Sequence, residues 1–229
     1  MAGRMPEFAD FTFAEKLYMG LANVERIFIA ELDPVYCVVA AVLVLLVYRK
    51  TGDYRKTLLA GIPALLLFGQ AVVRVSHPFF EKVFVLPAQA TSWNWGGAMT
   101  YMPLIFLVLS VFGILYALWQ LADGAWKHYL WTAFLLAGGF ATGVVMGFSP
   151  TIYASADRPY LYLYFVLIYV CADAVWNMGG MKAVWKIGSA DAVRKMPVPE
   201  KLMFTVLGLL VLANILDVTR MCWLLGRIL

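Results

Sequence analysis

AMTYMPLIFLVLSVFGILYALWQL, residues 98–121, carries no charged side chain along its whole length. At about 1.5 Å rise per residue, a helix this long covers the roughly 30 Å hydrocarbon core of a bilayer. The segment is read as a membrane span, and the rest of the chain agrees with it. Of 229 residues, 63% are hydrophobic and 14% are charged, whereas an ordinary soluble domain carries about 25% charge. The mean hydropathy is +0.79. A water-soluble fold of this length could not hide so much apolar surface, and eight Trp fit helix ends placed at two membrane interfaces.

Working outward from that span, five further segments have the required character. Upstream lie 34–48, opened by Asp33 as N-cap and Pro34 at the first helical position, and 57–73, where Pro63 predicts a kink. Downstream lie 129–146, with Gly138, Gly139 and Gly143, then 160–176, and finally 202–225. The expected fold is all-α: a polytopic transmembrane bundle of about six helices. Residues 1–33 are expected to form an extracytoplasmic or interfacial segment ahead of a transmembrane domain at 34–229. Within that segment Phe13, Leu17, Leu21, Val24 and Phe28 recur at helical spacing, which predicts an amphipathic helix lying on the surface. Residues 75–97 hold Phe79, Phe80, Phe84, Trp93 and Trp95 and are expected to dip into the interface or re-enter. Residues 187–200, with Pro197 and Pro199, read as a polar link.

Basic residues orient such a chain. Arg49, Lys50, Arg55, Lys56, Lys127, Lys182, Lys186, Arg194, Lys195 and Lys201 fall on one side, which is therefore taken as cytoplasmic. That places both termini outside the cell membrane. The net charge of +4 is spread between apolar segments, so no nucleic-acid footprint is present. The first thirty residues lack a basic stretch followed by an apolar core, so no cleavable signal peptide is expected. Cys37, Cys171 and Cys222 each lie in an apolar run without CxxC or Cys/His spacing, which argues against a disulfide framework or a zinc site. His77 and His128 are expected on opposite sides and so do not share a haem. No cofactor is expected.

Ionisable groups inside spans are costly and are functional candidates by default. On the last span Asn214, Asp217 and Arg220 gather, the last two on one face. They read either as a structural ion pair with Arg220 reaching outward or as part of a polar path. Asp173 lies about 20 Å in from residue 160, with Asn177 one turn further. Those two read as a packing hydrogen bond to a neighbouring helix, or as part of the same path. The segment 147–159, GFSPTIYASADRP, sets Ser149, Ser155 and Arg158 just before a helix start. Helix N-termini attract anions and arginine grips phosphate bidentately. Arg74 and Arg220 are expected at the same level, so three arginines could hold a lipid-linked phosphate; the plainer alternative is a capped turn with interfacial arginines.

This text, followed by YLYLY, resembles the C-terminal transmembrane region of bacterial GT-C-type membrane glycosyltransferases and their relatives. The resemblance covers about a fifth of the chain (residues 146–164 and their surroundings). It implies a polyprenyl-phosphate-linked sugar donor at the outer leaflet, with Arg158 touching phosphate and Ser149 and Ser155 shaping the loop. The chain departs from that family in having fewer spans and no acidic pair outside; Asp10, Glu31 and Asp33 are the acids available for a catalytic role. The leading functional expectation is envelope glycan assembly on a polyprenyl-phosphate lipid through Arg74, Arg158 and Arg220. The alternatives are a small-solute or ion transporter or channel subunit using Asp173, Asn177 and Asp217, and a non-catalytic structural subunit of a homo- or hetero-oligomer.

Overall fold

Asp33 and Pro34 start the helix around which the other elements pack. The computed structural model describes residues 8, 10–76, 98–149 and 160–178, with backbone alone at 73–76 and 98–100. Helix α1, Phe13–Glu25, passes through a π-helical turn, Arg26–Ala30, to α2, Pro34–Thr51. Then come α3, Tyr54–Ala60, and α4, Ile62–Ser76. Helix α5, Ala98–Leu121, is followed by α6, Trp126–Val145, which tightens into a 3-10 turn at Met146–Phe148. Helix α7 is Leu161–Asn177, and no strand occurs among the described residues.

The predicted start of α2 is realised: Asp33 Oδ1 accepts the Tyr36 backbone N–H at 2.8 Å, and Pro34 occupies the first turn. Its end lies beyond the expected residue 48. The helix runs to Thr51, where Gly52 at φ 59° turns its N–H back to the Tyr48 carbonyl. Glycine adopts that left-handed conformation at no steric cost. Helix α2 packs against α3, α4, α5 and α7. Half of its span is buried inside the chain, against 28% for α6, so α2 is central and α6 peripheral. A hydrogen bond between the Tyr36 hydroxyl and Ser110 Oγ ties α2 to α5.

Pro63 does more than kink its segment. Its missing N–H and its ring disrupt the turn below it, and the expected 57–73 helix divides into α3 and α4 at Gly61. The Gly61 N–H stays on the Thr57 carbonyl at 2.8 Å, and the Gly61 carbonyl accepts from Leu65.

Three described helices are long and apolar enough to cross a membrane: Pro34–Thr51, Tyr101–Leu121 and Trp126–Phe148. Ile62–Val72 and Leu161–Asn177 are apolar but shorter. The chain is thus an all-helical protein compatible with membrane embedding. The expected span at 202–225, the link at 187–200 and nearly all of the aromatic stretch at 75–97 lie outside the described residues.

Helix α1 corrects the expectation of a surface helix. Its N-terminus forms a capping box that the sequence analysis did not single out: Thr12 accepts from the Glu15 N–H, and Glu15 accepts from the Thr12 N–H at 2.7 Å. Beyond that first turn, however, Tyr18, Met19, Gly20, Ala22, Asn23, Val24 and Glu25 are all buried, which leaves no solvent face. Phe13 and Leu17, from the expected apolar stripe, are exposed at 72% and 37%. The reason is a glycine seam. A Cβ on Gly20 would stand 2.1 Å from the Val144 carbonyl oxygen, and one on Gly147 would stand 2.1 Å from the Lys16 carbonyl oxygen. Helix α1 therefore meets the end of α6 backbone to backbone, and the lower part of its apolar stripe, Val24 and Phe28 with Leu21 beside them, is buried in the core.

Candidate functional site

Two polar groupings form at opposite ends of α7, about 20 Å apart at 1.5 Å per residue. The first lies where α7 begins. Asn23 on α1 donates through Nδ2 to the Tyr160 hydroxyl. Arg26 donates through Nε to Asn23 Oδ1 at 3.0 Å and pairs through Nη1 with Glu31 at 2.6 Å. The Tyr164 hydroxyl donates to Asp33 Oδ2 at 2.8 Å, so the carboxylate that caps α2 also anchors α7. Phe28 fills the space between, with its ring centroid 5.1–6.0 Å from those of Tyr36, Tyr160 and Tyr164. Of the three acids considered for catalysis, Glu31 and Asp33 are thereby engaged in structural contacts, and Asp10 is exposed.

Glu25 stands apart in this grouping. It is 1% exposed, and its Oε1 has no hydrogen-bond partner, because the adjacent guanidinium is committed to Glu31 and Asn23. Burial pushes its carboxyl from the ordinary 4.5 up to about 8. Burial, and next the Glu25 charge, raise the Tyr18 hydroxyl to about 12.

The flanks of the 147–159 segment converge here. Gly147 is pressed against Lys16 and Gly20 of α1, and Gly143 touches both Val24 and Tyr160. Ser149 closes the 3-10 turn, its N–H on the Met146 carbonyl at 3.0 Å. The arginine and serine expected between these flanks, Arg158 and Ser155, lie outside the described residues, as do Asn214, Asp217 and Arg220. Arg74 lies on α4, with its side chain outside the described set.

The second grouping is at the far end of α7. Asp173 makes the expected interhelical hydrogen bond, and its partner is His128 on α6, with 2.7 Å between Oδ2 and Nε2. The Asn177 amide lies 3.3 Å from the same ring nitrogen. Thr132, one turn above, donates to the His128 carbonyl at 3.0 Å. A small cavity of about 20 Å³ lies between Leu118, Tyr129, Thr132, His128, Asp173 and Asn177. Around it, Lys50 reaches from α2 to the Leu121 carbonyl at 2.7 Å and to Asp123 at 2.6 Å. Asp123 and Gly124, at φ 48° and 78°, turn the chain from α5 into α6. Trp119, Trp126 and Tyr129 pack ring against ring at this end, with centroids 5.1–5.6 Å apart. With Gln120, Asp123 and Gly124 these rings line a second cavity, of about 150 Å³.

His128 is the functional candidate that the sequence did not single out. The signal was available as depth. His128 lies two residues into α6 and Asp173 four residues before the end of α7, so an antiparallel pair of helices sets them level. Among the described residues, no group of three or more His, Cys, Asp or Glu is placed to hold a metal. No family model, curated protein or solved structure is found to match the chain.

Proposed function

We propose that this protein handles a polyprenyl-phosphate-linked substrate of envelope glycan assembly at the outer leaflet of the cell membrane. The observation that carries the reading is the convergence of both flanks of the Ser-Pro…Arg segment on α1. Gly147 and Tyr160 are held by Gly20, Val24 and Asn23, so both flanks of the segment are fixed against the same helix. Flanks fixed in this way hold the N-terminus of α7 ready for a phosphate, which lowers the entropic cost of binding, and Arg158 precedes that helix by three residues in the sequence. The level of the site agrees with the charge bias: Arg49, Lys50, Arg55, Lys56 and Lys127 gather at the other end of the bundle.

Native mass spectrometry of the detergent-purified protein tests this reading. A co-purifying polyprenyl phosphate or sugar-linked lipid is expected, and it is expected to be lost in Arg158→Ala while the protein stays folded. Ordinary phospholipid alone in the unsubstituted protein overturns the reading. That result shifts the weight to a small-solute or ion carrier, which the grouping of His128, Asp173 and Asn177 beside a cavity favours.

A further inference from the structure

We propose that Trp119, Trp126 and Tyr129, with Asp123 at their rim, form a binding site for an organic ammonium group, methylated forms above primary ones. The site lies at the basic end of the bundle and stands apart from the lipid-phosphate reading, whose residues gather where α7 begins. One stretch of chain, residues 119–129, builds it: α5 ends, Asp123 and Gly124 turn the backbone at φ 48° and 78°, and α6 begins. Trp119 stands at 87° to Trp126 and 84° to Tyr129, while those two lie at 35° to each other. The rings thus make two walls that meet near a right angle, and they border a cavity of about 150 Å³. One water needs roughly 10–15 Å³, so the cavity admits a group of several heavy atoms.

The chemistry of the lining selects the ligand. Aromatic faces carry negative charge density and attract cations, and quaternary ammonium groups are the recurrent example. Asp123 adds a carboxylate whose side chain is 80% exposed. Lys50, only 14% exposed, holds its Oδ2 at 2.6 Å and is tied down a second time by the Leu121 carbonyl. Lys50 therefore fixes the carboxylate and leaves its outer side to a ligand. The same pairing sets the preference. With much of the carboxylate charge already neutralised, a compact, strongly hydrated ammonium gains little, whereas a methylated one keeps its contact with the rings. A metal ion needs several oxygen or nitrogen donors, and among the described residues no group of three His, Cys, Asp or Glu is placed to hold one. Interfacial aromatic rings anchor a helix against lipid one by one; that role requires neither the cavity nor the carboxylate at its edge.

Saturation-transfer NMR of the protein in an uncharged maltoside detergent, with choline as the probe, tests the site. Saturable binding on the order of millimolar is expected. The uncharged isostere of choline, in which a tert-butyl group replaces trimethylammonium, is expected to bind about fivefold more weakly or worse. Trp119→Leu and Trp126→Leu alter rings 48% and 53% exposed, and each is expected to weaken choline binding by about fivefold or more while the thermal melt is kept. No saturable binding, equal binding of the two probes, or choline binding unchanged in either leucine variant overturns the proposal. If the leucine variants do not fold, the comparison of choline with its isostere on the unsubstituted protein decides alone. Displacement of choline by phosphatidylcholine identifies a lipid head-group as the occupant, and choline that phosphatidylcholine leaves in place identifies a soluble amine.

Discussion

Glu25 is the residue whose environment most contradicts its chemistry. A carboxyl buried with one oxygen left unpaired costs several kcal/mol if charged, so burial holds it neutral below about pH 8. The consequence for stability follows from linkage. The folded carboxyl titrates at about 8 and the unfolded one near 4.5. Between those values the folded chain holds a proton that the unfolded chain has lost. Stability therefore falls as pH rises through this window and levels off above about 8. Thermal unfolding in detergent is expected to show a lower Tm at about pH 8.5 than at about pH 6. In Glu25→Gln, whose amide never ionises, this pH dependence is expected to shrink. An identical pH dependence in the two proteins would remove Glu25 as its source.

At the scale of elements, the seam between α1 and α6 is the contact with least tolerance. Added methyl groups at Gly20 or Gly147 would stand 2.1 Å from backbone carbonyl oxygens, which cannot swing away as a side chain would. Gly138, on the same helix as the seam, has nothing within 4 Å of its would-be Cβ. Gly147→Ala and Gly20→Ala are thus expected to cost at least the ~1–3 kcal/mol typical of overpacking. Gly138→Ala is expected to be neutral or slightly stabilising, because alanine is the better helix former by about 1 kcal/mol. Comparing the thermal stability of the three variants in detergent checks this, and equal losses would mean the helices do not meet as described. The same seam explains what the sequence conveyed and what it did not. The start of α2 was legible because Asp33 and Pro34 act on their own neighbours in the chain. The break at Gly61 was half legible, since Pro63 announces a disturbance without saying whether the helix bends or divides. The burial of α1 was half legible: the stripe marks a face that is buried at Val24 and Phe28 and exposed at Phe13 and Leu17, and periodicity does not say whether protein or a membrane surface covers it. The close backbone approach to α6 is marked only by the absence of a side chain at Gly20. His128 and Asp173 could be set level by counting turns, but no spacing rule states that α6 and α7 are neighbours.

For the whole molecule, the argument turns on the length of α6. Its residues from Trp126 to Val145 rise about 30 Å, the thickness of a bilayer core. At its C-terminal end Phe13 of α1 rests on Phe148, with ring centroids 5.2 Å apart. At its N-terminal end Lys50 of α2 bonds the turn that leads into it, and α3 with Lys56 follows directly on α2. Ala14 and Lys56, both exposed, therefore mark opposite ends of the bundle. If α6 spans the membrane, the two positions face different aqueous phases, and the run of basic residues predicts a cytoplasmic Lys56. Single cysteines introduced as Ala14→Cys and Lys56→Cys, with Cys37, Cys171 and Cys222 replaced by alanine, make this measurable on intact cells. A membrane-impermeant maleimide is expected to label the first from outside and the second only after permeabilisation. The reverse pattern would invert the orientation and place the α1 end in the cytoplasm, where an outer-leaflet lipid cannot reach it. Labelling of both from one side would mean that α6 does not cross the bilayer.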